Sequence, residues 1–143
     1  MKLAQALIEK NKIIKRIGTL EQRISSNNSI MEGNERAYDP NELLTELSTE
    51  MDNLVAIKKS ISLANAPIQE NIFRMAELKS HIKFLRGIST AEGKVKERYS
   101  NELPLSYDAA INEVAKDNLI AAAEKTIESL QQEVDTFNHS TDI

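Results

Sequence analysis

Apolar residues recur along this chain in alternating steps of three and four, the spacing that lines up one face of a helix. The first run sets Ala6, Ile13, Ile17, Leu20 and Ile24 on one seam, with Lys10 in the missing seam position and Leu3, Leu7 and Ile14 widening it. This predicts a helix over 2–27, closed by Asn27-Asn28-Ser29. Gly18 falls inside it and costs about 1 kcal/mol relative to Ala, so packing has to hold this helix. A second stripe, Leu43/Leu44, Leu47, Met51, Leu54, Ile57 and Ile61, predicts a helix over 40–65. Its start is marked by Asp39-Pro40-Asn41-Glu42. Asp39 can accept the Glu42 amide, Pro40 loses no hydrogen bond at the first helical position, and Glu42 can reach back to the capping amide.

Pro67 ends that run and opens the next, where Ile68, Ile72, Met75, Leu78, Ile82 and Leu85 predict a helix over 68–87. Residues 88–106, with Gly93 and Pro104, read as irregular, with one short extended segment near 97–105 that Pro104 confines to a sheet edge. The last stripe, Ile120, Ala123, Ile127, Leu130, Val134 and Phe137, is the most regular and predicts a helix over 107–137 capped by Ser106. The expected architecture is therefore all-α: one domain over 1–143, an elongated bundle of about four long amphipathic helices with coiled-coil character. Only four Gly and three Pro occur, too few for the turns of an all-β chain.

Charge sharpens this picture. The segments 1–28, 39–66, 67–96 and 107–143 carry balances of +4, −3, +3 and −6. Alternation of sign favours contact between sequence neighbours in antiparallel hairpins, although each exposed pair adds well under about 1 kcal/mol. With 41% hydrophobic and 28% charged residues the chain reads as globular. Its aromatic content of 4%, without Trp, leaves a core of Ile, Leu, Met and Ala. The start of the chain runs into a charged amphipathic pattern rather than an apolar leader. The longest apolar stretch, 119–123, is far short of a membrane span, and the expected compartment is the cytoplasm.

Candidate chemistry is sparse. The absence of Cys excludes disulfides, a thiolate nucleophile and Cys-based metal sites. A di-metal carboxylate bundle needs two Glu-x-x-His pairs, whereas the two histidines here, His81 and His139, follow Leu78 and Thr136 at that spacing. His81 lies one helical turn after Glu77, the spacing of a carboxylate-oriented base, and equally that of a solvated pair beside Lys79 and Lys83. No Gly-x-Ser-x-Gly elbow or Gly-rich phosphate loop occurs. Lys10, Lys12, Lys15, Arg16 and Arg23 form a basic patch, but it lacks base-stacking aromatics and the net charge is −4, so nucleic acid is not an expected partner. No catalytic, cofactor-binding or metal-ligating residue is expected.

Met1-Lys2-Leu3-Ala4-Gln5-Ala6-Leu7, then Glu32-Gly33 followed by Asp39-Pro40-Asn41-Glu42-Leu43-Leu44, the Tyr99-Ser100 stretch and the closing Asn138-His139-Ser140-Thr141-Asp142-Ile143 resemble the septicolysin-like family of small bacterial helical proteins, over nearly the whole chain. That family commonly carries Trp where His139 stands here. The resemblance implies a helical fold and a bacterial origin, and its name implies a membrane-active cytolysin; it supplies no site residue. The residues themselves point to a non-catalytic protein that self-associates as a homo-oligomer or binds a protein partner. Lipid binding enters only through the cytolysin-like alternative, and 99–105, in the longest irregular stretch, is a first target for mutation.

Overall fold

The computed structural model describes residues 1–95, 103 and 105–143. Among the described residues the chain is all-α apart from one small hairpin. Four helices follow in order: α1 (Leu3–Asn27), α2 (Pro40–Ala64), α3 (Gln69–Arg86) and α4 (Glu113–Ser140). A 3-10 turn at Ala66–Ile68 leads from α2 into α3. Between α3 and α4, β1 (Gly93–Val95) pairs antiparallel with β2 (Leu105–Tyr107), setting Gly93 against Tyr107 and Val95 against Leu105. Contacts group the chain into two compact units, Met1–Pro67 with Thr136–Ile143, and Ile68–Asp135.

The first unit is the α1–α2 hairpin together with the end of the chain. Ala6, Ile13 and Leu20 from α1 and Leu43 and Ile61 from α2 are buried along the seam, as their spacing predicts. Leu44 and Met51 depart from expectation: they stand 51% and 53% exposed on the flank of α2. At 100° per residue they lie about 80–100° around the helix from buried Leu43 and Ile61, so the partner helix that covers the seam leaves them on its flank. The α2 start is also capped differently. The Asp39 Oδ1 accepts the Asn41 amide at 3.0 Å, one residue earlier than the reciprocal box with Glu42 requires. The loop before it is tied back to α1: Arg36 donates to the carbonyls of Asn27 and Asn28 at 3.0 and 3.1 Å, satisfying helix-end acceptors. The Arg23 guanidinium lies 4.7 Å from the centre of the Tyr38 ring.

The deepest burial in this unit lies where the chain ends meet. Leu3 and Ala6 are fully buried with Ile61, against Leu7, Ile57, Ala64 and Phe137. Around them the Leu3 amide donates to the Thr141 carbonyl at 2.7 Å and the Ile143 amide to the Met1 carbonyl at 3.0 Å. The Lys2 Nζ donates to Asp142 Oδ2 at 2.9 Å, which holds that carboxyl below its usual range. Gln5 completes the α1 start by accepting the Lys2 amide at 3.0 Å; lysine has no acceptor with which to reciprocate.

In the second unit α3 and α4 run antiparallel over buried Ile68, Met75, Ile82, Leu85, Ala123 and Val134. Asn71 donates to Glu133 at 2.6 Å and Arg86 to Glu124 at 3.1 Å, fixing the register. Lys116 caps the end of α3, donating to the Arg86 and Ile88 carbonyls, each at 3.1 Å. Here α4 differs from its expected span of 107–137, beginning six residues later and running three further, to Ser140. Ser106 sits within β2 and cannot cap a helix there; the Asn112 side chain does so instead, accepting the Ala115 amide at 2.8 Å. The expected extended segment near 97–105 falls mostly outside the described residues, with strands found on either side of it.

Candidate interaction surfaces

The hairpins decide which side chains are left facing water. In α1–α2, a groove of about 700 Å³ is lined by Lys12, Lys15, Arg16 and Arg23 from one helix and Thr45, Glu46, Thr49 and Glu50 from the other, over Leu20. It gathers most of the basic patch read from sequence; Lys10 lies apart, half-buried beside the seam. Arg16 bridges Glu9 at 3.0 Å and Glu50 at 3.4 Å, and the Glu9 bond above all raises its pKa. The groove hydroxyls are turned inward: Thr19, Thr45 and Thr49 each donate to the carbonyl four residues back. Arg16, Glu50 and the three hydroxyls are thus engaged within the hairpin, and nothing in the groove is arranged as a nucleophile with its base.

The two histidines are not brought together. His81 is exposed on α3 and stacks on Phe84, ring centres 6.1 Å apart; the hydrogen bonds of the described residues include none to Glu77. His139 is exposed in the last turn of α4. Among the described residues no group of three or more His, Asp and Glu side chains is placed to hold a metal ion. No described helix is long and apolar enough to cross a membrane. Of the 99–105 stretch, only residues 103 and 105 are described, with Leu103 and Leu105 exposed.

What stands out instead is large apolar residues in water at helical spacing. On α2, Leu44, Met51 and Val55 are 51–67% exposed and share one face. On α3, Phe73 and Phe84 are 63% and 64% exposed, on the side opposite buried Met75 and Ile82. Two of the three Phe in the chain are thus spent on surface positions. Sequence reading absorbed Leu44 and Met51 into the α2 seam and passed over Val55, Phe73 and Phe84. The signal was there: steps of seven and four for the α2 set, and eleven residues, about three turns, between the two Phe.

A single hairpin can bury only one stripe of each helix, so residues repeating on a second face are left to solvent. The model of a family of unknown function, DUF6847, matches residues 10–143. The chain belongs to this family. The crystal structure of a functionally unknown conserved protein from Corynebacterium diphtheriae has the same fold, with a TM-score of 0.67 at 19% identity over 99% of this chain and 97% of that one. No functionally curated protein matches. Membership and fold are thereby shared, and neither carries an activity with it.

Proposed function

We propose that this DUF6847 protein acts by association rather than catalysis, assembling with further copies of itself through apolar helical faces. The observation that carries this reading is the exposure, in helical register, of Leu44, Met51 and Val55 on α2 and of Phe73 and Phe84 on α3. Fully burying such a side chain yields about 1.5–3 kcal/mol. Covering the exposed half of six of them across two copies therefore yields roughly 5–9 kcal/mol, enough to offset the lower range of the association cost. Light scattering behind a sizing column across a dilution series tests it. The expected result is a species heavier than the 16.0 kDa chain that dissociates on dilution; a strict monomer throughout would sink self-association.

A second reading draws on the same α3 face. Phe73 and Phe84 share their helix with Arg74, Lys79, Lys83 and Arg86, the basic and aromatic combination that suits the surface of an anionic bilayer. It is the form in which the cytolysin-like expectation survives as a proposal. Dye release from vesicles containing anionic lipid tests it, and intact vesicles at micromolar protein refute it.

A further inference from the structure

The outward face of α3 contains both halves of a helix-packing lock. Ser80, Lys83, Phe84 and Gly87, with Ile88 at the rim, enclose a shallow surface hollow. The first four stand at i, i+3, i+4 and i+7, the set that forms the hole in knobs-into-holes packing. It is hollow because Ser80 and Gly87 are small, while Phe84, stacked on His81, raises one wall. The matching knob is Phe73, 63% exposed on the same face. Eleven residues bring it to within about 20° of Phe84 around the helix but leave it about 16 Å away along the axis, so no chain can fill its own hollow.

We propose that this face is a self-docking site for a second copy of the chain, paired antiparallel about a two-fold axis beside Leu78 and Lys79. Phe73 of each copy sits between Ser80, Lys83, Phe84 and Gly87 of the other. The inference rests on the association reading above and names its partner and surface. Such a contact is isologous and closes at two copies, because each contributes one knob and one hole. Charge agrees with the register. In a two-fold antiparallel pair like flanks meet, which sets Glu77 of one copy against His81 of the second, twice over. The cations Arg74 and Lys83 lie on opposite flanks and do not meet, and Arg74 is held by Glu70 at 3.1 Å in its own helix.

The full-length protein tests this directly. The wild type is expected at twice 16.0 kDa in light scattering, with Phe73→Glu weakening the dimer at least tenfold and Phe73→Leu largely restoring it. Gly87→Leu, which fills the hollow from within, should weaken it as well without unfolding α3. The Gly87 φ of −81° suits any residue, and an added Cβ would meet nothing nearer than the Phe84 carbonyl at 3.4 Å. Since the chain has no Cys, Ser80→Cys should cross-link two copies through a short bis-maleimide, while Val55→Cys on α2 should not. A dimer that survives Phe73→Glu and Gly87→Leu but is lost in Val55→Glu overturns this pairing and leaves self-association standing. A wild-type monomer at every concentration overturns both. Loss of vesicle leakage in Phe73→Glu with the mass unchanged assigns the face to lipid instead.

Discussion

Leu3→Ala should be among the most damaging single truncations in the first unit, although Leu3 is only the third residue of the chain. Its side chain is fully buried, enclosed with Ala6 and Ile61 and bordered by Ile57 and Phe137, so the substitution removes three carbons from a closed site. At about 0.8 kcal/mol each the transfer loss is about 2.4 kcal/mol. The residual cavity raises such changes into the range of roughly 2–5 kcal/mol, higher where the surroundings cannot collapse. Here the backbone is clamped by the Leu3–Thr141 and Ile143–Met1 hydrogen bonds, which restrict relaxation, while the exposed rim of the site permits some. The balance points to about 3 kcal/mol. Urea unfolding followed by circular dichroism reads it as a lower midpoint at unchanged slope. Leu63→Ala is the control: the same chemistry at 70% exposure should stay within about 0.5 kcal/mol of wild type. If the two variants differ by less than about 1 kcal/mol, the meeting of the chain ends contributes no core, and the reasoning fails.

Other expectations follow from local geometry. Gly18→Ala should stabilise the protein by about 0.5–1 kcal/mol in the same assay, since the added Cβ meets nothing within 4 Å and the helix gains propensity. Asn112→Ala removes the cap on α4 and should lower stability by about 1 kcal/mol, with Asn112→Asp restoring most of it. The Asp142 carboxyl, held low chiefly by the Lys2 hydrogen bond, favours the fold when charged. That contribution is present above the ordinary carboxylate range and is lost as pH falls through the lowered folded value. Protection factors of the Leu3 and Ile143 amides should therefore drop in acid, and Asp142→Asn should lower them at neutral pH and flatten the dependence.

Much of the helical content was legible because each helix announces itself locally. A 3.6-residue apolar period, Pro40 at a helix start and Pro67 at a break act through the nearest few residues, and the observed spans of α1, α2 and α3 stay within a residue of those they predict. The α4 start was misread for a complementary reason. Ser106 has the chemistry of a cap, but strand pairing with Lys94 claims its backbone, and a bond between residues twelve apart in sequence leaves no local trace. The candidate surfaces were half legible. The spacing of Leu44, Met51 and Val55 and of Phe73 and Phe84 is written in the sequence, yet whether a stripe faces a neighbour or water depends on how many helices surround it.

The sequence by itself determined helices, their seams and the alternation of charge that suits α1 to α2 and α3 to α4, because those are set by periodicity and short-range sterics. Tertiary structure alone decided that Leu3, Thr141 and Phe137 meet, that Arg16 of the basic patch reaches Glu50 across α1 and α2, and that two apolar faces remain uncovered. Those outcomes depend on contacts between residues far apart in the chain. Closing such contacts costs conformational entropy that only the assembled packing repays, and no local pattern encodes that balance.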